Sequence, residues 1–318
     1  MRKLLLSLTL VLASLGAAAQ PFPSQPVTIV VPFPPGGSAD VLARILQPGL
    51  SEMWKQPVVV ENRPGASANI GAAYVAKSAP DGHTLLLGTP ALAVSAAVYK
   101  NLTYDAQRDL VPVAMLSVFP SVLVVHPSVP AETPQALVQY AKAHPGKLNF
   151  ASAGNLSAIR FAFEHLAQIT GIQVVHVPYK GSAPSAQAMV SGESHTMMMT
   201  LVDALPHIKS GKLRALAATT IERIPDLPQL PTLAETLAPG FDYIIWHGLF
   251  APAGTRAEAV AKLNRDVNAV LGQPEARTRL TGLGMQVRAG APEALGMYVR
   301  GEIKKWTGVA QAANIKVD

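Results

Sequence analysis

An α/β fold built on a parallel sheet is what this sequence predicts, and three observations predict it. Short β-branched runs alternate with amphipathic helical patterns along most of the chain, the order that βαβ units impose. The first run, Val-Thr-Ile-Val-Val at residues 27–31, lacks helical spacing and reads as a strand covered on both faces. Turns rich in glycine and proline then separate strand from helix, and in such sheets ligands bind beyond the carboxyl ends of the strands. The length of 318 residues suggests two domains.

The first strand ends at Pro32, Pro34 and Pro35, none of which can donate to a ladder. Gly36 and Gly37 follow, where positive φ is free and a ligand can approach the backbone. From Ser38 the pattern is helical, with Val41, Leu42, Ile45, Leu46 and Leu50 on one face. Ser38 is the expected N-cap and Asp40 falls in the first turn. Pro48 is expected to remove one hydrogen bond and kink this helix. A helix start directs unpaired N–H groups outward and carries partial positive charge, so the stretch makes an anion site from backbone alone. Each charge-assisted bond there contributes roughly 1.5–3 kcal/mol. A Pro-Gly-Gly turn equally serves to join a strand to a helix, and Asp40 equally serves to satisfy the helix end.

Further along, strands are expected at residues 56–61 and 83–87, with a helix at 69–77 between them. The later strand runs into Gly88-Thr89-Pro90, a second loop at the same edge. An apolar run at residues 118–125 precedes a helix that Thr133 caps and Pro134 opens. A second βα series has strands at 148–151, 173–177, 195–200 and 213–218, with helices at 157–168 and from about residue 183. Residues 224–239 are proline-rich and expected to be irregular; residues 246–250 return to strand. Helices at 258–271, 275–283 and 292–313 close the chain. The second series has its own turn before a helix, residues 151–157, where Ser152, Asn155 and Ser157 offer side-chain donors. Two such halves form a clam-shell with a ligand between lobes, or one large domain in which the turns never meet; strand pattern alone allows both.

The N-terminus reads as a secretory leader. Arg2 and Lys3 precede an apolar stretch at 4–15 and the small residues Ala17, Ala18 and Ala19. Export to a periplasm is the expectation. A net charge of +6 with only 14% charged residues and no basic block excludes nucleic-acid binding as an expectation. There is no cysteine, hence no disulfide or thiol chemistry. The eight histidines form no ligand pair; His165 and His176 read as structural or surface residues, and Met197, Met198 and Met199 as core. Phosphate-loop, dinucleotide, zincin and nucleophile-elbow motifs are absent. No catalytic group, metal or cofactor is therefore expected.

Residues 30–44, Val-Val-Pro-Phe-Pro-Pro-Gly-Gly-Ser-Ala-Asp-Val-Leu-Ala-Arg, resemble the first ligand loop of the Bug proteins. These are the TctC-like solute-binding receptors of tripartite tricarboxylate transporters. Motifs at residues 59–66, 79–88, 177–182, 211–217, 230–235 and 246–255 match in order and spacing, so the resemblance covers nearly all of the chain after the leader. It implies a type II periplasmic-binding fold, two α/β lobes joined by crossing strands near residues 122–125 and 246–250. Lobe 1 would comprise residues 20–123 and 247–318, and lobe 2 residues 124–246. It also implies a small organic carboxylate in the cleft, often held through ordered waters, no metal, a monomeric receptor, and delivery to membrane subunits of the transporter.

By matching loop positions, Phe33, Gly36, Gly37, Ser38, Ala39 and Asp40 would line one side of that cleft. Thr89 and Ala91 belong to the next loop. Ser152, Gly154, Asn155 and Ser157 would face them from lobe 2, joined by Tyr179 and Asp203. Tyr179 alternatively only packs, and Asp203 alternatively caps a helix. The sequence departs from the family pattern at Leu156, where glycine is usual, and at Arg160, where histidine is usual. Arg160 is suited either to a second ligand carboxylate or to an ion pair with Glu164. Ser67 and Ala68 replace the usual glycine pair, which stiffens that loop, and His195 stands where an acid is common. A ligand-sensing component and an exported hydrolase are the competing functions for the same cleft; the hydrolase would need a nucleophile and base that the sequence does not display.

Overall fold

Strand β1 (Val27–Val31) divides the first half of the molecule between two cores. Val27, Ile29 and Val31 point into one and Val30 into the other, the period of two that a pleated strand imposes. The computed structural model describes residues 22–315; the leader expected at residues 1–19 lies outside them. Strands β2 (Val58–Asn62) and β3 (Thr84–Gly88) flank β1 in parallel, Val27 opposite Val58 and Thr28 opposite Thr84. Helix α1 (Ser38–Trp54) buries Leu42, Ile45, Leu46 and Leu50 against the first core and runs on through Pro48. Helix α2 (Asn69–Ala76) joins β2 to β3.

A helix that local pattern does not announce follows β3. In α3 (Pro90–Val98), Leu92, Ala93, Val94, Ser95 and Val98 are buried. Such an all-round small apolar surface lacks the amphipathic stripe by which a helix is recognised. Its start is nonetheless well made, with Thr89 Oγ1 accepting from the Ala91 amide and Pro90 at the first position.

The 16-residue strand β4 (Leu110–Val125) organises everything after it. From Leu110 to Pro120 it pairs antiparallel with β9 (Ile244–Pro252), and β9 pairs onward with β3. From Ser121 to Val125 the same strand pairs instead with β7 (Thr196–Thr200) and β8 (Arg214–Ala218). Strands β5 (Asn149–Ser152) and β6 (Val175–Pro178) extend this second sheet in parallel beyond β7. The strand order β2-β1-β3-β9-β4-β7-β5-β6 therefore describes two α/β lobes held on two long crossing strands. This is the type II periplasmic-binding arrangement.

The second lobe carries α4 (Pro134–Ala143), α5 (Ala158–Thr170), α6 (Ser182–Ser191) and α7 (Leu201–Lys209). Within the stretch expected to be irregular, a short helix α8 (Leu233–Thr236) forms behind a capping box between Thr232 and Glu235. Met197, Met198 and Met199 are buried in β7. The chain then returns to the first lobe through α9 (Ala257–Gly272), α10 (Pro274–Gly282) and β10 (Gln286–Val287), which pairs with β4.

The last helix, α11 (Pro292–Ala312), touches both lobes. It packs on α3 and β4 at one end. At the other, buried Trp306 meets the rings of Tyr243 and Phe161, each centroid 6.3 Å away. Gln168 of α5 donates to the Val309 carbonyl at 2.9 Å. Among the described residues no helix is long and apolar enough to cross a membrane.

Candidate ligand-binding cleft

The β1–α1 loop is tied to its own helix by Asp40. Gly36, at φ 88°, turns the chain, and Gly37 rather than Ser38 occupies the N-cap. Ser38 is the first helical residue, which leaves the amides of Ser38 and Ala39 without intrahelical acceptors. The Asp40 carboxylate is buried and fully engaged. One oxygen accepts from the Gly36 amide and from Arg44 Nε, both at 2.9 Å. The other accepts from Asn62 Nδ2 at 2.9 Å, and that amide group also donates to the Phe33 carbonyl at 3.0 Å. The Arg44 hydrogen bond, followed by those from Gly36 and Asn62, outweighs burial and holds the Asp40 pKa at about 2. Asp40 thus staples the loop, and its oxygens do not face the cleft.

The β5–α5 loop of the other lobe repeats the design. Gly154 sits at φ 139° and Ser157 caps α5, its Oγ accepting from the Arg160 amide and donating to the Gly154 carbonyl. Ser152 is buried beneath, within hydrogen-bonding distance of both Gly154 backbone atoms and 2.7 Å from His176 Nε2. Burial first, and the nearby Arg160 charge second, lower the His176 pKa to about 4. Arg160 turns away from the cleft: Nη1 donates to the Asn155 carbonyl at 2.9 Å and Nε lies 3.6 Å from Glu164. Of the two roles open to Arg160, the geometry has the ion pair on its own helix. Tyr179 also points elsewhere, its hydroxyl on Glu193 and Ser194.

A cavity of about 770 Å³ lies where these loops face each other. Lobe 1 supplies Phe33, Gly37, Ser38, Ala39, Thr89 and Ala91. Lobe 2 supplies Gly154, Asn155, Leu156 and Ser157. A second chamber of about 740 Å³ adjoins it across Gly37, Ser38, Ser182 and Ile245, and contains Gly36 and Asp203. Thr200 donates to Asp203 at 2.6 Å, in the first turn of α7. Neither cavity is lined by Asp40, Ser152 or Tyr179.

Several lining residues escape a reading by local motif. Gly181 and Ser182, at the start of α6, bring a further helix terminus to the cavity. Tyr243, Ile245 and His247 reach it from the crossing strand β9 and the residue before it. Their spacing of two is the signal that would have found them once 246–250 was read as a strand. His247 is buried, with Nδ1 3.1 Å from Ser117 Oγ and Nε2 3.2 Å from Ser38 Oγ. Burial pushes its pKa down to about 4.

Four helix starts, those of α1, α3, α5 and α6, therefore meet on one cavity. Among the described residues no Lys, Arg, Asp or Glu lines it. Its positive field comes from helix termini, which suits an anion held by amides and hydroxyls. The Ser38–His247 pair is poorly suited to nucleophilic chemistry, because the imidazole is a weak base and its other nitrogen meets a neutral serine instead of a carboxylate. No group of three or more acidic or histidine side chains among the described residues is placed to hold a metal ion.

Two lobes on crossing strands, with helix starts aimed into the cleft between them, define the class of two-lobed solute-binding proteins. The description "Tripartite tricarboxylate transporter family receptor" (TctC) matches residues 42–315, and the chain belongs to that family. It is 38% identical to a UPF0065 protein from the tcbD-tcbE intergenic region of Pseudomonas sp. strain P51, over 96% of this chain and 92% of the relative. Protein BugT of Bordetella pertussis is 35% identical over 100% and 99% of the two chains. Among solved structures, a Rhodopseudomonas palustris protein with adipate superposes with a TM-score of 0.79 at 37% identity, covering 93% of this chain and 99% of that one. MatC from Rhodopseudomonas palustris, with bound malate, gives 0.76 at 37% identity, covering 91% and 99%.

Proposed function

We propose that this protein is a periplasmic receptor that closes on a small organic carboxylate and presents it to the membrane subunits of a tripartite tricarboxylate transporter. The observation that carries the reading is the convergence of four helix starts on an interlobe cavity without charged side chains. Neighbours of the same family solved with adipate and malate support a carboxylate, and the leader expected at residues 1–19 supports export. Phe33, Gly37, Ser38, Ala39, Thr89, Ala91, Gly154, Asn155 and Ser157 are the proposed ligand-facing positions. Gly36 and Asp203 border the adjoining chamber. Asp40, Ser152 and Tyr179 hold the loops in place. The switch of β4 from one sheet to the other between Pro120 and Ser121 supports a lobe boundary close to residue 123.

Closure brings the α1 and α5 termini together on one anion, so ligand favours the closed state by its differential affinity. Thermal unfolding across a panel of carboxylates, with hexanamide as the neutral control, tests the reading. A ligand that binds only the folded state raises stability with the logarithm of its excess over Kd. An upward shift with at least one acid, absent with the amide and reduced in Ser157→Ala, is expected. A flat response from a cooperatively folded sample overturns it.

A further inference from the structure

His247 is buried in the crossing strand β9 with a hydroxyl at each ring nitrogen, and the positioning role inferred for it rests on the receptor reading above. Ser117 Oγ lies 3.1 Å from Nδ1 and Ser38 Oγ 3.2 Å from Nε2. Burial depresses the pKa to about 4, so the ring is neutral at pH 7. A neutral imidazole has one N–H and one bare nitrogen. One serine therefore donates to the ring and the other accepts from it.

The surroundings of Ser117 decide which. Ser117 is fully buried in β4, and among the described residues its hydroxyl has one further neighbour in reach, the Met285 sulfur at 3.9 Å. Thioether sulfur is a weak acceptor. With hydrogen on Nδ1, the Ser117 proton would be left to that sulfur alone, and a buried donor without a good acceptor is costly. With Nδ1 bare, the proton has a strong nitrogen acceptor. Nε2 then carries the hydrogen and donates to Ser38 Oγ. Phe119 meets the ring edge-on, centroids 5.4 Å apart, and restricts its rotation.

Ser38 is the outer end of this chain of bonds. It is exposed, lines both chambers, and among the described residues its hydroxyl bonds to His247 alone. Having accepted from Nε2, it keeps its own hydrogen for the cleft, beside the unpaired amides of Ser38 and Ala39. Hydrogen bonds in series also polarise one another. We propose that His247, protonated at Nε2, is a positioning residue that turns the Ser38 hydroxyl into a donor to the ligand's carboxylate, through a relay that runs from Ser117 in the core to the cleft.

Two measurements on the purified protein test this. Nitrogen-15 spectra of histidine-labelled protein at pH 7.5, with His247 assigned by the signals missing from His247→Gln, report which ring nitrogen carries the hydrogen. Nε2 is expected; hydrogen on Nδ1, or on both nitrogens, overturns the relay and leaves the receptor reading standing. Isothermal titration with hexanoate, malate and adipate then follows the tightest binder of the three through a double-mutant cycle. Ser38→Ala and His247→Leu are each expected to weaken it about tenfold, and the double variant no further, because one lost hydrogen bond is counted twice. His247→Gln, whose amide can donate to Ser38 and accept from Ser117, is expected to recover most of the affinity lost in His247→Leu. Wild-type affinity in Ser38→Ala, losses that multiply in the double variant, or His247→Gln as weak as His247→Leu each overturn the positioning role. No binding of any of the three acids by a cooperatively folded sample overturns the Ser38–carboxylate contact and the receptor reading together.

Discussion

Ser38 and His247, 209 residues apart in sequence, meet at the cleft with Oγ and Nε2 separated by 3.2 Å. The β4–β9 register places Ser117 opposite His247, and its hydroxyl takes the other ring nitrogen. The ring is thereby fixed between the first turn of α1 and a crossing strand. It joins the helix start to a strand that crosses between the lobes.

Buried in this way, His247 makes stability depend on pH. Its pKa falls from the ordinary 6.5 to about 4 because burial disfavours the charged ring. The unfolded chain therefore binds more protons than the folded one between these values. The contribution is complete above pH 6.5 and is lost as the pH falls towards 4, reaching about 2 kcal/mol at pH 5. Urea midpoints at pH 7.5 and pH 5 should show a loss in the wild type, and His247→Asn should make that loss smaller by about 2 kcal/mol. His165, His176 and His195 are depressed in the same direction and remain in both proteins, so the difference between them isolates His247. An identical pH slope in the two proteins refutes the assignment.

Asp40→Asn tests the loop staple. The substitution removes the carboxylate that pairs with Arg44, which keeps only its bond to Asn62 Oδ1, and places an amide opposite the Gly36 and Asn62 donors. A loss of about 1 kcal/mol at pH 7 is expected, since the Gly36 and Asn62 donors lose a charged acceptor while the half-exposed Arg44 is resolvated. In the wild type this contribution is present above pH 3.8 and disappears as the pH falls towards about 2. A change below about 0.5 kcal/mol, the range of ordinary surface substitutions, would mean the network carries no stability.

Gly284 and Val202 form a contact between the lobes at the rim of the second chamber. A Cβ on Gly284 would lie 2.7 Å from Val202 Cβ. Gly284→Ala is therefore expected to wedge the lobes apart, weakening ligand binding about tenfold and enlarging the radius of gyration measured with ligand present. Because Gly284 has φ 73°, some loss of stability comes from backbone strain alone. Val202→Gly in the same protein removes the wedge and not the strain. Recovery of affinity is expected; persistent weak binding in the double variant would leave strain as the whole cause.

Ala66, Ser67 and Ala68 all lie at positive φ, 46°, 54° and 76°. Non-glycine residues pay roughly 1–2 kcal/mol each for this conformation. Glycine adopts this conformation without that cost, so Ser67→Gly should raise stability by about 1 kcal/mol, read as a higher denaturation midpoint. Stability that stays level or falls would show that the serine side chain earns its place in the cavity wall.

Much of the fold was legible because its signals act over a few residues. Thr133 with Pro134, the strand ends at Pro32 and Gly88, and Ser157 ahead of an amphipathic helix each have their partners within about one turn. Helix α3 escaped because its core-facing surface goes all the way round, and α8 because it is a single turn. The Bug-type motifs brought the lobes and loops into view together, since each marks a turn at a strand end.

What the sequence determined alone was therefore local: strand, glycine turn, helix start, and the backbone amides that each start exposes. Tertiary structure decided which of those groups remain free. Asp40 is occupied by Gly36, Arg44 and Asn62, and Arg160 Nη1 by the Asn155 carbonyl, whereas Ser182 and His247 reach the cavity from elements far along the chain. The physical reason is that a donor or carboxylate serves a ligand only when no other group has satisfied it. That accounting closes only after β4 and β9 bring the two lobes face to face.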